Sequence, residues 1–177
     1  MSMAKNILII YKINTMKKIT LLLTLIGILT LQSCCKNEEA RPTSEVFQYA
    51  NVNFLPNAYS VVLTYPHNIV DTDMVLVYRL SGSFNGENIW KLLPETYYFA
   101  DGTLDLRYDF DFTRFDAEVR LEGFDLSNVT DAYKLNQTLR VVTIPANFGK
   151  NSNFNYKDYK AVVKAYEIDE SKIFQME

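Results

Sequence analysis

The stretch Thr103–Leu126, TLDLRYDFDFTRFDAEVRLEGFDL, decides the fold because its apolar and polar residues alternate. Apolar side chains occupy the even positions of 104–112 and the odd positions of 115–121, so the phase changes once, at Thr113-Arg114. Alternation with a period of two is typical of a β-strand with one buried face. The single phase change predicts an antiparallel hairpin that turns at Thr113-Arg114 and puts all these apolar side chains on one face.

The alternation also predicts which residues of the hairpin pair across the two strands. The expected pairs are Phe112 with Phe115, Phe110 with Ala117, and Tyr108 with Val119. Because Thr-Arg is a poor sequence for a two-residue turn, a four-residue loop that includes Asp116 is favoured over a tight one. A continuous strand with a bulge is the alternative to the hairpin.

Other strand-like runs lie on both sides of this hairpin, and turn-forming residues separate them. They are VFQYANVNF (46–54), YSVVLTYP (59–66), DMVLVYRLSG (73–82), KLLPETYYF (91–99) and QTLRVVTIP (137–145). Several short strands in a chain of this size predict an all-β fold, an antiparallel β-sandwich of about seven strands that is immunoglobulin-like.

The tail of the chain has a different period and predicts one short C-terminal helix. In NYKDYKAVVKAYEI (155–168), apolar residues follow the i, i+3, i+4, i+7 spacing of an amphipathic helix. These residues are Tyr159, Val162, Val163 and Tyr166. Asn155 is the expected N-cap, with Asp158 three residues later.

The N-terminal segment has the layout of an export signal that ends at a lipidation site. Its apolar run, 19–31, has 13 residues, fewer than the roughly 20 that a membrane-spanning helix needs. The run follows Lys17-Lys18, which gives the basic head of a secretory signal. It ends in Leu31-Gln32-Ser33-Cys34, which resembles a lipobox. We therefore expect cleavage before Cys34.

A lipid on Cys34 is chemically reasonable, because a thiolate is the nucleophile that would form the thioether. One acyl chain binds a bilayer only marginally, so two or three chains are expected to hold the protein there. Cys35 fits the lipobox less well, since the residue before it is itself a cysteine. The alternatives are a plain cleaved signal with chance cysteines and an uncleaved membrane anchor.

These features divide the chain into three segments. Residues 1–33 are the predicted signal peptide, whose true start is expected at Met16, and 34–45 form a lipidated flexible tether. The β-sandwich domain is expected over 46–177. The charged residues of KNEE (36–39) resemble the signal by which Bacteroidota-type lipoproteins reach the outer face of the outer membrane; ordinary linker charge is the alternative.

Three sequence blocks are similar to a group of small flavobacterial (Bacteroidota-type) lipoproteins of uncharacterised activity. The blocks are DMVLVYRL (73–80), IWKLLPETYYFADGTLDLRYDFDFTRFDAEVRLEGFDL (89–126) and QTLRVVTIPANF (137–148). The resemblance covers roughly residues 60–165. It implies a lipobox signal, a cell-envelope location and a single all-β domain, and it assigns no catalytic residue.

The charge of the chain makes a nucleic acid an unexpected partner. Residues 1–33 contain four lysines and no acidic residue, so removing them changes the formal net charge of −3 to −7. Proteins that bind nucleic acids depend on basic contacts to phosphates. Both cysteines, Cys34 and Cys35, lie at the lipidation site, so no disulfide framework is expected.

The residue types exclude several kinds of enzyme. His67 is the single histidine and follows Tyr65-Pro66 in a predicted loop, which favours a solvent-facing role over a catalytic pair. The domain lacks the histidines and cysteines of a zinc site, and it contains neither a G-x-G-x-x-G motif nor a P-loop. We therefore expect no catalytic residue, no cofactor and no metal. Calcium in DTD (71–73) or DLSNVTD (125–131) is the alternative to ordinary turns.

Four aspartates surround the hairpin and alternate with its apolar side chains. They are Asp105, Asp109, Asp111 and Asp116, with Arg107, Arg114 and Arg120 interleaved. This pattern is typical of a solvated strand face on which opposite charges are neighbours. The alternative is that two of the carboxylates act as acid and base on a glycosidic bond.

Aromatic residues are the other surplus of the chain, with 12 tyrosines and 11 phenylalanines. In Tyr97-Tyr98-Phe99, alternate rings must point to opposite faces of a strand, so we expect at least one ring to face water, where it is available to a sugar or a protein partner. Trp90 is expected to plug the core. Taken together, the sequence predicts a lipid-anchored outer-membrane lipoprotein that is a non-catalytic binding or structural module, with a protein or glycan ligand. A carboxylate-dependent envelope hydrolase is the alternative.

Overall fold

Two β-sheets pack face to face in the computed structural model, which describes residues 43–148 and 153–176. The strands are β1 (Glu45–Val52), β2 (Ser60–Thr64), β3 (Met74–Phe84), β4 (Glu87–Leu92), β5 (Glu95–Tyr98), β6 (Leu104–Phe112), β7 (Asp116–Gly123), β8 (Gln137–Ile144) and β9 (Phe174–Met176). Sheet 1 has the order β4-β3-β8-β1-β9, and sheet 2 has the order β2-β7-β6-β5. The predicted all-β sandwich is therefore confirmed, with nine strands among the described residues instead of about seven.

Strands β6 and β7 form the predicted hairpin, but its register differs from the expected one. Phe112 lies opposite Ala117 rather than Phe115, and every further pair is displaced by the same two residues. A shift of two keeps each side chain on its face. The expected pairs are therefore wrong, while the shared apolar face is confirmed.

The loop of this hairpin accounts for the displaced register. Four residues, 113–116, connect the last pair of the β6–β7 ladder, Phe112 and Ala117, and the backbone N–H of Thr113 donates to the carbonyl oxygen of Asp116 (2.9 Å). The Thr113 hydroxyl donates to the Asp116 carboxylate as well (2.7 Å). The four-residue loop that includes Asp116 is thus confirmed, and it removes Phe115 from the strand.

Sheet 1 is covered on both faces along its central strands, β3 and β8. Its inner face packs against sheet 2 around buried residues such as Phe47, Val77 and Tyr108. Its outer face carries a second apolar cluster, which includes Tyr78 and Val142. Strands covered on both sides lose the polar alternation of a half-exposed strand, which explains the nearly continuous apolar runs of β3 and β8.

Two short α-helices follow the strands of sheet 2. Helix α1 (Asp131–Lys134) precedes β8, and helix α2 (Tyr159–Ala165) lies on the outer face of sheet 1. Two 3₁₀ turns, Ala146–Phe148 and Glu170–Lys172, connect the remaining segments. The predicted C-terminal helix is confirmed as α2.

The apolar face of α2 is the predicted one, but its N-cap is not. Tyr159, Val162 and Tyr166 are buried against sheet 1. The cap is Asp158, whose carboxylate accepts a hydrogen bond from the backbone N–H of Ala161 (3.1 Å). The expected cap, Asn155, is wrong.

The carbonyl oxygen of Tyr156 explains this later start. It accepts a hydrogen bond from the Tyr78 hydroxyl (2.7 Å), so it faces sheet 1 instead of continuing a helix from Asn155. The Asn155 side chain closes only a local turn, accepting from the backbone N–H of Lys157 (3.2 Å).

Replacing Asp158 by alanine should lower the free energy of unfolding by about 1 kcal/mol, because the N–H of Ala161 loses its acceptor. Asn155→Ala is the matched control and should cost less, since Asn155 does not cap the helix. Urea denaturation followed by circular dichroism measures both. Equal losses in the two variants would contradict the assignment of the cap.

Two segments differ from the predicted strands for identifiable reasons. KLLPETYYF is not one strand: β4 ends at Leu92 in sheet 1 and β5 begins at Glu95 in sheet 2. Pro94 lies between them, and a proline has no N–H to donate to a ladder. Strand β9 was not predicted, and it pairs with β1 in parallel, so sheet 1 is not purely antiparallel.

The N-terminal predictions concern residues that lie almost wholly outside those described. The signal peptide (1–33), Cys34 and most of the tether (34–45) precede residue 43, and β1 begins at Glu45, one residue before the predicted start of the domain. Within 43–148 and 153–176, no helix is long and apolar enough to cross a bilayer.

Candidate functional site

A buried polar cluster joins the two sheets. Arg79 of β3 donates from Nε to the carboxylate of Glu95 on β5 (2.8 Å), and both side chains are less than one-tenth exposed. Arg79 also donates to Gln137 (3.0 Å) and to the Tyr97 hydroxyl (2.9 Å). Its guanidinium carbon lies 4.6 Å from the centre of the Tyr108 ring.

Hydrogen bonds within this cluster keep Arg79 and Glu95 in their charged forms. Burial raises the pKa of Glu95, but hydrogen bonds from Arg79, Tyr97 and Lys91 outweigh it and hold this pKa below its ordinary value. Burial lowers the pKa of Arg79, and the hydrogen bond to Glu95 reverses that effect. Since every charge is engaged by a neighbour inside the sandwich, we interpret the cluster as structural.

The hairpin aspartates lie largely among arginines, as the sequence predicts. Arg120 is 2.7 Å from the carboxylate of Asp111, and Arg107 forms an ion pair with Asp109. Asp116 is held by the loop hydrogen bond from Thr113. Asp105 is the exception, because it lines a groove at one end of the sandwich.

The other residues singled out in the sequence have local roles. His67 is an exposed loop residue whose ring lies 2.8 Å from the carboxylate of Glu45. Asp73 accepts from the backbone N–H of Val70 (3.1 Å), which closes a turn. Among the described residues, no group of three or more His, Cys, Asp or Glu side chains could hold a metal ion.

Trp90 lies at the margin of the outer core rather than at its centre. It is half-buried on the edge strand β4, beside a depression of about 430 Å³ next to α2. The guanidinium carbon of Arg140 lies 4.2 Å from the Trp90 ring centre, and the same group donates to Tyr159 (2.7 Å) and Glu170 (3.0 Å). These groups are thus engaged with one another.

The end groove is an open cavity of about 380 Å³ where β5 and β7 end and β6 begins. Its lining combines aromatic rings with carboxylate, amide and hydroxyl groups. The lining includes Phe99, Asp105, Phe124, Asp125, Asn128 and Tyr133. Apolar walls with a few polar groups are the usual composition of a small-molecule site.

The aromatic rim of the end groove is open to solvent. Of the aromatic residues that line it, Phe124 is 84% exposed and Phe99 is 45% exposed. Tyr98, the neighbour of Phe99 in the sequence, is also exposed but does not line the groove. Exposed apolar side chains that are grouped beside polar ones mark interaction sites.

Two carboxylates line the polar side of the end groove, and only one of them is hydrogen-bonded to other described residues. Asp125 accepts from the backbone N–H of Ser127 (3.1 Å) and from the side-chain amide of Asn128 (2.7 Å). Hydrogen bonds from the Ser127 side chain and from Asn128 lower the pKa of Asp125. The Asp105 carboxylate forms no hydrogen bond or ion pair with another described residue, so it can accept one from a ligand.

Contacts behind the groove hold it in place. The hydroxyl of the buried Tyr108 donates to the carbonyl oxygen of Tyr133 (2.5 Å), and the Tyr133 ring packs edge-to-face on Tyr97 at 5.3 Å. Lys134 donates to the carbonyl oxygen of Leu126 (3.3 Å). The groove is therefore built on the core and is largely preformed.

Sequence reasoning missed Phe124 and Tyr133 as site residues. Phe124 occupies an even position after the odd apolar positions 115–121, so its phase places it away from the core. That break in phase was the available signal for an exposed ring. Tyr133 carried no signal, because its position depends on how the segment after β7 folds back.

The fold and the groove together define a β-sandwich domain with an aromatic and acidic cavity at one end. No protein-family model, no curated protein and no solved structure matches the chain.

Proposed function

We propose that this protein is a lipid-anchored module of the cell envelope, at the outer membrane, that binds a ligand without transforming it. The observation that carries the binding role is the end groove, whose Phe124 ring is 84% exposed beside an unengaged carboxylate, Asp105. The lipobox around Cys34 supports the anchor and the location. The acidic net charge of the chain argues against a nucleic acid as the ligand.

A carboxylate-dependent hydrolase is the second candidate, because Asp105 and Asp125 line the same groove. A general acid needs a carboxyl group that keeps its proton near neutral pH, which requires a raised pKa. Asp125 has the opposite perturbation, since its hydrogen bonds lower its pKa. This difference favours binding over hydrolysis.

Replacing Cys34 by serine should move the protein from the membrane fraction to the soluble fraction, because a hydroxyl cannot form the thioether that carries the lipid. Cys35→Ser is the matched control and should stay in the membrane fraction. Fractionation and intact-mass analysis of each variant, expressed in a bacterium with lipoprotein processing, measure this. A Cys34→Ser protein that keeps a lipid mass would contradict the proposed anchor.

A further inference from the structure

We propose that the end groove binds a neutral sugar ring of a glycan, which stacks on Phe124 and donates hydroxyl hydrogen bonds to Asp105. This inference rests on the proposed binding function and names its ligand class.

Two aromatic rings of the end groove are exposed although no contact with the described residues accounts for their exposure. Phe124 follows the last residue of β7 and packs no ring against another described aromatic side chain. Phe99 shares the groove with it and is 45% exposed. A flat ligand face made of C–H groups, such as one side of a pyranose, would cover such a surface.

The acceptors beside the rings match the other edge of a sugar. The Asp105 carboxylate has no partner among the described residues, and Asn128 uses its amide nitrogen on Asp125, which leaves its amide oxygen for an outside donor. A sugar ring carries hydroxyl donors around an apolar face, so one ring can meet both kinds of surface. A purely apolar ligand would leave the Asp105 carboxylate desolvated without a partner.

Charge restricts the ligand further. Among the described residues, no lysine or arginine lines the end groove, whereas two carboxylates do. An anionic ligand, such as a uronic or sulfated sugar, would be repelled. A cationic peptide would have only the Asp105 carboxylate to pair with, because Asp125 already accepts hydrogen bonds from Ser127 and Asn128. A neutral glycan fits these groups better than either.

Rigidity supports a small ligand with a defined shape. Asp125 closes the turn that orients Asn128, and the backbone N–H of Phe124 donates to the carbonyl oxygen of Asp105 (3.2 Å). The ring and the acceptor are therefore linked through the backbone. A preformed site loses little conformational entropy on binding.

Binding of oligosaccharide and peptide probes to the detergent-solubilised full-length protein is measured by saturation-transfer NMR and by calorimetry. The probes are neutral hexasaccharides of β-1,4-linked glucose, α-1,4-linked glucose and β-1,4-linked mannose. Hexagalacturonate serves as the anionic probe and hexalysine as the cationic probe. We expect at least one neutral hexasaccharide to bind at millimolar concentration, with little dependence on salt, while hexagalacturonate does not bind.

Phe124→Ala should weaken that binding by about twofold to tenfold, the range that one aromatic contact accounts for. Phe84→Ala is the matched control, because Phe84 is 69% exposed on β3 and does not line the groove. Asp105→Ala should also weaken binding, whereas Asp111→Ala should not. Circular dichroism of each variant checks that it is folded.

Three results would overturn the inference: no binding of any neutral hexasaccharide, binding of hexalysine alone, or unchanged binding by Phe124→Ala. Because the protein is solubilised, none of them depends on the lipid at Cys34. Selective binding of hexalysine would reject the glycan and keep a binding module. Release of reducing ends from a hexasaccharide would instead reject the non-catalytic function and favour the hydrolase.

Discussion

Replacing Glu95 by alanine should destabilise the domain by about 3–5 kcal/mol, because it leaves the Arg79 guanidinium buried without its counter-charge. The pair joins β3 to β5 across the two sheets, with a distance of 2.8 Å between Arg79 Nε and the Glu95 carboxylate. Both side chains are at most 7% exposed, so water cannot compensate for the lost partner. Urea denaturation, followed by tryptophan fluorescence of Trp90, measures the loss.

Two further variants distinguish the effect of an unpaired buried charge on stability from the effect of lost packing. In Arg79→Met/Glu95→Leu both charges are absent, so this double variant should recover most of the stability that Glu95→Ala loses. Glu87→Ala removes an exposed partner of Lys160 (2.7 Å) and should have no resolvable effect. A double variant as unstable as Glu95→Ala would contradict the electrostatic explanation.

The same carboxylate makes stability depend on pH. The folded-state pKa of Glu95 is below its ordinary value, so the unfolded chain binds the proton more readily than the folded protein. Its contribution is therefore complete above the ordinary pKa of a glutamate and decreases as the pH falls through the folded-state value. Below about pH 4.3, the ordinary pKa of a glutamate, the free energy of unfolding of Glu95→Gln should therefore decrease less with falling pH than that of the wild type.

Periodicity predicted the sandwich because most strands of sheet 2 have one buried face. In β6 and β7 every second side chain packs inward, and a period of two is directly visible in the sequence. The register was not predictable to the same degree, because it depends on the loop, and Thr113 and Asp116 together fix a four-residue connection. A two-residue shift leaves the pattern unchanged, so the pattern cannot detect it.

The inter-sheet cluster shows what periodicity cannot find. Arg79 follows a nearly continuous apolar run in β3 and resembles an outward-facing polar residue at the end of a strand. It is buried because sheet 1 is covered on both faces, and its partner Glu95 belongs to the other sheet. Pairing them requires knowing that the chain changes sheets at Pro94, which no local pattern reports.

The sequence indicated some of the residue types of the end groove, but not how the fold brings these residues together. The run Tyr97-Tyr98-Phe99 indicated exposed rings, and the structure places Tyr98 and Phe99 outward. The alternation of the aspartates predicts one solvated face, but Asp105 departs from it because the segment after Gly123 folds back over the start of β6. A site formed by such a return depends on tertiary contacts that a single sequence does not contain.

Gly123 is the residue that permits this return, so Gly123→Ala should affect both stability and the end groove. A Cβ atom at this position would lie 2.5 Å from the carbonyl oxygen of Asp105 and 2.8 Å from Cδ2 of Leu126. The nearer atom belongs to the backbone of β6 and cannot rotate away. Overpacking of this kind costs about 1–3 kcal/mol.

The groove should change in the same variant, because the Asp105 carbonyl oxygen accepts the backbone N–H of Phe124 (3.2 Å). Moving either strand lengthens that hydrogen bond and shifts the ring relative to the carboxylate. Gly86→Ala is the matched control: its positive φ of 82° makes alanine strained, yet no atom lies within 4 Å of the new Cβ. Both variants should lose stability, but only Gly123→Ala should shift the amide resonances of Asp105 and Phe124. If Gly123→Ala left those resonances unchanged, the close approach at the end of β7 would not be what shapes the groove.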